Sequence, residues 1–266
     1  MEIPMELHEP IHDPLQYVHL IYGEVGVGKT TFASQIDGHY ILRAEEGTKG
    51  VRHYGTSVHS WQEFKEAATA LIKMKRNGFE GREIKTIVID TIGALADMLC
   101  EYITGTQTFI DNGKASKFDN IDDVPWGKGF RRVANILVPA LKKIHQEGFG
   151  LVLLAHVRDR SKKWKGQDVD VYQPYIGPGN VIPDSICALA DVVGYYHIEA
   201  KEKKNPEGNI VTYDEKRVMQ FAPTFQSQCK HRLRCFPASL ELELDDQWQT
   251  YQEAFADCFA KEFNNG

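Results

Sequence analysis

The chain has 266 residues, 42% of them hydrophobic, enough for one large α/β domain or one domain with a small appendage. Its net charge of −6 rules out a globally basic surface, so any nucleic-acid contact has to come from a local patch. The five cysteines (Cys100, Cys187, Cys229, Cys235 and Cys258) are odd in number and include no CxxC, so reduced, mostly buried thiols are expected in place of a disulfide framework or zinc site. No apolar run approaches the length of a membrane span and the first residues are acidic; a cytoplasmic location with no membrane partner is expected.

Residues 1–16 carry three prolines and several charges and read as an extended arm. Val18-His19-Leu20-Ile21-Tyr22 is an apolar run of strand length. It leads into Gly23-Glu24-Val25-Gly26-Val27-Gly28-Lys29-Thr30, a complete GxxxxGK[ST] phosphate-binding loop. Its glycines let the backbone curl round a polyphosphate with the N–H groups inward. Lys29 can reach the β- and γ-phosphates and the Thr30 hydroxyl can ligate Mg²⁺. Thr30 and Thr31 open a helix whose dipole favours the same anion. ATP and Mg²⁺ are therefore the expected ligands, bound by residues 23–31.

A second strand, His39–Ala44, ends in Glu45-Glu46-Gly47. Ser60-Trp61-Gln62-Glu63 is a capping box opening a helix that runs to about Arg76. Thr86-Ile87-Val88-Ile89-Asp90 is a buried parallel strand with a carboxylate at its end. Asp90 is expected to organise the metal with Thr30; its competing role is as a cap on the helix that starts near Thr91. Motor ATPases often carry Glu directly after this Asp, where it acts on the attacking water. Thr91 stands there instead, so Glu45, facing the same crevice, is the candidate water-activating group. Glu46 is the weaker choice by strand alternation.

Residues 105–128 read as a long polar loop. The helix from Phe130 to Gln146 should be kinked or broken at Pro139. A fourth strand, 150–155, puts His156 at its end, in position to sense the γ-phosphate. Residues 157–180 read as another long polar loop. Arg158, Arg160, Lys162, Lys163 and Lys165 with Trp164 make it the best nucleic-acid candidate, the cations for phosphates and the ring for a base. Helix 182–190, strand 191–198 and an antiparallel end with strands at 217–221 and 240–244 follow. Trp248, Tyr251, Phe255, Phe259 and Phe263 then lie on one face of a last helix, a stripe for core or subunit packing. The division expected is an arm (1–16), an ATPase core (17–244) and a C-terminal amphipathic helix (245–266).

Together these motifs resemble the RecA-like recombinase core, in order along residues 17–235. The glycine loop, Arg43-Ala44-Glu45, the Asp90 strand with a hydroxyl residue after it, and His156 where the family has a sensing Gln carry the likeness. The subgroup most similar is the minimal RecA-like ATPases of bacteriophages, including single-strand-annealing recombination proteins. The resemblance implies an α/β fold with a mostly parallel central sheet flanked by helices and antiparallel C-terminal strands. It implies a Mg²⁺-dependent, DNA-stimulated ATPase acting as an annealing or pairing recombinase in the host cytoplasm. Its partners would be single-stranded DNA, further copies in a filament or ring, and a single-strand-binding protein. Lys230 and Arg232 resemble the basic pair that reaches a neighbouring subunit's ATP. A replicative helicase or loader of related core, and a nucleotide-state switch that binds a protein partner, are the alternatives.

Overall fold

The computed structural model describes residues 10–47, 50–111, 113–204 and 210–263. In chain order its elements are β1 (Val18–Gly23), α1 (Lys29–Ser34), β2 (His39–Arg43), β3 (Gly55–Ser57), α2 (Trp61–Asn77), β4 (Thr86–Asp90) and α3 (Ile92–Thr106). Then come β5 (Phe109–Asp111), β6 (Lys114–Ser116), α4 (Lys128–Gln146), β7 (Gly150–Trp164), β8 (Gln167–Pro174) and α5 (Val181–Leu189). The chain closes with β9 (Val192–Lys204), β10 (Ile210–Gln220), β11 (Lys230–His231), β12 (Ser239–Glu241) and α6 (Gln247–Phe263).

The sheet runs β12-β10-β9-β1-β7-β4-β2-β3. Its six strands from β9 to β3 are parallel, while β10, β11 and β12 pair antiparallel at one side. This is the α/β architecture expected of a RecA-like core. Strand alternation builds a hydrophobic layer on each face. Leu20, Ile87, Ile89, Leu151 and Leu153 join the layer beneath α2, α3, α4 and α5. Ile21, Val88, Val152 and Leu154 join the other, with Phe32 of α1 and Trp248, Tyr251 and Phe255 of α6. Each such side chain, fully buried, contributes about 1.5–3 kcal/mol. The aromatic stripe of α6 is thus spent on this chain's own core. Among the described residues no helix is long and apolar enough to cross a membrane.

Four local expectations are corrected. Residues 157–174 form no loop: β7 and β8 make an antiparallel hairpin registered from Val157↔Pro174 to Trp164↔Gln167. Lys165 and Gly166, with φ of 49° and 83°, supply the two left-handed residues that close such a turn. The 105–128 stretch contains a second hairpin, β5–β6. Helix α4 is not broken at Pro139, which lies on its exposed side, so the carbonyl that loses its partner faces water. Cys235 and Cys258 form a disulfide with Cα atoms 5.2 Å apart, because α6 docks Cys258 beside the segment after β11. The remaining cysteines, Cys100, Cys187 and Cys229, are free and buried.

Candidate functional site

The carboxyl ends of β1, β2, β4 and β7 lie side by side, with Gly23 opposite His156, Arg43 opposite Asp90 and Asp90 opposite Leu154. This edge of a parallel sheet is where α/β folds bind ligands. Here it opens a cleft of about 400 Å³ lined by the phosphate loop, Glu45, Asp90 and His156.

The loop leaves β1 at Gly23, where a Cβ would collide with the Tyr196 carbonyl oxygen of the neighbouring strand. Gly28 has φ of 112°, a conformation other residues rarely take, and turns the chain directly into α1. That helix has only six residues, so the loop's own N–H groups carry more of the anion site than its dipole does. Lys29 Nζ donates to the carbonyls of Gly23 (2.8 Å) and Glu24 (2.7 Å). The side chain is thereby curled over the loop. Burial pushes its pKa down to about 8, against the opposing pull of Asp90, Glu45 and Glu24.

Thr30 Oγ1 donates to Asp90 Oδ2 at 2.8 Å. Asp90 is 6% exposed, and burial raises its pKa against the hydrogen bond from Thr30. Thr91, not Asp90, caps α3: its hydroxyl accepts from Ala94 N at 3.3 Å. Asp90 is left to face the loop. A hydroxyl and a carboxylate are hard oxygen donors, the set Mg²⁺ takes together with phosphate oxygens and water. Among the described residues no three His, Cys, Asp or Glu side chains gather to hold a metal by themselves. A metal here would be shared with the nucleotide, as the donor set fits.

Glu45 follows β2, where Ala44 N bonds the Asp90 carbonyl at 2.7 Å and carries it beside β4. Its Oε1 lies 2.8 Å from His156 Nε2, and its Oε2 accepts from Thr91 Oγ1 at 3.1 Å. Burial pushes the carboxyl up, but His156, Thr91 and Lys29 outweigh it and hold Glu45 below its ordinary range. It is therefore ionised and oriented at neutral pH, as a group that positions or deprotonates water must be. Glu46 is exposed and lines the same cleft.

The hairpin sorts charge by face. Arg158, Arg160 and Lys162 occupy alternate positions opposite Gln173, Val171 and Val169. Asp159, Ser161 and Lys163 take the other face, opposite Tyr172, Asp170 and Asp168. Three cations with no acid across the hairpin thus sit on one side, in a depression of about 180 Å³ that Asn180 and one carboxylate, Asp184, of the α5 end also line. Arg160 Nη1 donates to Asn180 Oδ1 at 2.6 Å. Lys165 is in the turn, and the side chain of Trp164 lies outside the described residues.

The structure does not bring Lys230 and Arg232 to this chain's own loop. Strand β11 pairs with Val192 and Val193, at the amino end of β1's neighbour. Lys230 Nζ donates to Cys187 O at 2.8 Å, and Arg232 Nε to Asp191 Oδ1 at 2.5 Å. Two residues escaped sequence reasoning. Thr91 was visible as a hydroxyl residue after Asp90 but given no role toward Glu45, and Trp126, 81% exposed with φ of 62°, sits in a Pro-Trp-Gly turn that was the available signal. Trp126 precedes α4, whose Phe130 ring packs 3.2 Å from where a Gly179 Cβ would be, next to Asn180 and the basic face.

The low pKa of Lys29 makes nucleotide binding pH-dependent. Polyphosphate needs the ammonium, so above pH 8 binding must take up a proton and affinity should fall by up to about tenfold per pH unit. Between about 8 and 10.5 the unfolded chain holds the extra proton, so stability without nucleotide rises over the same window. Calorimetry in buffers of different ionisation enthalpy at pH 8.5 would detect the uptake; a binding heat independent of buffer would contradict it.

A model of the AAA domain matches residues 15–233. The solved structures similar to this chain include the KaiC-like protein PH0186 from the hyperthermophilic archaea Pyrococcus horikoshii OT3. Identity is 15% and the TM-score 0.41, with 77% of each chain covered. No protein of curated function matches.

Proposed function

Because the chain belongs to the AAA domain family, we propose that this P-loop ATPase couples ATP hydrolysis to single-stranded DNA and acts as an annealing or pairing recombinase. The observation that carries the reading is the path of β7. The strand places His156 against Glu45 in the nucleotide cleft and continues without a break into the basic face of the hairpin.

The residues divide the chemistry between them. The loop N–H groups and Lys29 hold the β- and γ-phosphates. Thr30 and Asp90 would hold Mg²⁺, which would supply positive charge to neutralise the polyphosphate. Glu45 orients water in line with the γ-phosphate and accepts its proton, with Thr91 fixing its second oxygen. His156 reports the state of Glu45 to β7, at the point where the strand passes from the sheet into the hairpin. Its carbonyl accepts from Tyr175 N at 2.8 Å, so both hairpin strands are tied at this residue. A second link joins β1 to the hairpin: Tyr22 OH donates to Tyr172 O at 3.1 Å, and Tyr195 stacks between the two rings.

Arg158, Arg160 and Lys162 then contact DNA phosphates, and the exposed Trp126 ring stacks on a base. ATP is placed at an interface between copies, in keeping with Val25 at the loop tip, an apolar side chain 83% exposed beside the open cleft. Adding single-stranded DNA to the protein turning over Mg–ATP tests the reading. Turnover is expected to rise, and a rate indifferent to DNA would remove the recombinase part while leaving the ATPase.

A further inference from the structure

The back of the phosphate loop, away from the cleft, is closed by the C-terminal helix. Gln247, the first residue of α6, is 0% exposed, and neither its Oε1 nor its Nε2 has a hydrogen-bond partner among the described residues. Tyr196, also fully buried, has a hydroxyl in the same condition. Both unpaired groups meet at one point. A Cβ on Gly28 would lie 3.1 Å from Gln247 Nε2 and 3.4 Å from Tyr196 OH. Burying an amide and a hydroxyl without partners is destabilising, so a fold that keeps two of them side by side calls for an explanation.

Their placement is fixed. Gln35, just after α1, donates from Nε2 to Leu244 O at 2.6 Å and accepts from Trp248 N at 3.0 Å. This one side chain clamps the entry of α6 to the end of α1 and holds Gln247 against the loop. Peptide geometry supplies the missing partners. In a trans peptide the N–H and C=O point in opposite directions. A loop that turns its N–H groups inward to a polyphosphate therefore turns carbonyls outward. The Gly28 carbonyl is already taken by Phe32 N at 2.9 Å, and those of Gly23 and Glu24 by Lys29, which leaves Val25 at the exposed tip and, nearest Gly28 in the chain, Gly26 and Val27.

We propose that Gln247, with Tyr196 beside it, is a positioning residue of the phosphate loop, donating to the Gly26 or Val27 carbonyl when the loop closes on a nucleotide. The inference rests on the ATP reading of the same site and adds α6 to it. The helix senses loop closure through its first residue, and nucleotide affinity depends on its docking.

The test compares wild type, Gln247→Leu and Tyr196→Phe, measuring Mg–ADP affinity by calorimetry and melting temperature with and without Mg–ADP. Leucine keeps most of the side-chain volume and removes the unpaired amide. Q247L should therefore melt at the same or a higher temperature without nucleotide, yet bind Mg–ADP about tenfold more weakly. Y196F should weaken binding severalfold. Unchanged affinity in Q247L overturns the proposal, as does an equal loss of melting temperature with and without nucleotide. Should Q247L fail to fold, Y196F decides, and its unchanged affinity overturns the proposal too. Wild type that binds no Mg–ADP would instead refute the ATP reading beneath it.

Discussion

Glu45→Gln is expected to lower ATP turnover by about 100- to 10,000-fold while leaving nucleotide affinity little changed. Glutamine keeps the size and can keep the Thr91 contact, but it cannot take a proton. Glu45 is poised for that transfer: His156 and Thr91 hold its two oxygens, and their combined effect with Lys29 keeps the carboxyl ionised against the cost of burial. Glu45 touches no phosphate-binding group of the loop, so binding should survive. Phosphate release and Mg–ATP titration on the same preparations separate the two effects. Comparable losses of turnover and affinity would show that Glu45 shapes the pocket and is not the water-activating group.

The second large effect concerns the hairpin, and it turns on strand geometry. Lys162 and Lys163 are neighbours in sequence but belong to opposite faces, and Lys163 stands across from Asp168. Arg158→Glu with Lys162→Glu should weaken single-stranded DNA binding on the order of 100-fold at moderate salt and flatten its salt dependence. Lys163→Glu should change both little. Anisotropy of a labelled oligonucleotide across a salt series reads the difference. Lys163→Glu alters the charge half as much as the double variant, so a loss half as large on a logarithmic scale would mean that net charge alone attracts DNA and that the sorted face has no role.

The nucleotide half of the site was legible in the sequence because its chemistry is tied to short-range spacing. Glycines at 23, 26 and 28 before Lys29-Thr30 can serve few other purposes, and Asp90, Glu45 and His156 each end an apolar run that folds as a parallel strand. What escaped depends on contacts between distant segments. Residues 158–164 project beyond the sheet, so both faces are polar and the period-two pattern of a buried strand is lost, although Lys165-Gly166 marked the turn. The pairing of Cys235 with Cys258 follows from where α6 docks, which no spacing reveals. The partners of Lys230 and Arg232 within this chain, the Cys187 carbonyl and Asp191, likewise come from where the segment of β11 packs. Gln247 reads as an ordinary first-turn glutamine until the fold brings it behind Gly28.

The central claim is that β7 joins the hydrolytic site at His156 to a DNA-binding face. Steady-state ATP turnover, measured as single-stranded DNA is titrated in and with DNA binding followed in the same tube, tests it most directly. The account predicts a rise of about tenfold or more that saturates with DNA occupancy, the size of a modest change in transition-state stabilisation. DNA that binds to saturation and leaves turnover unchanged would contradict it.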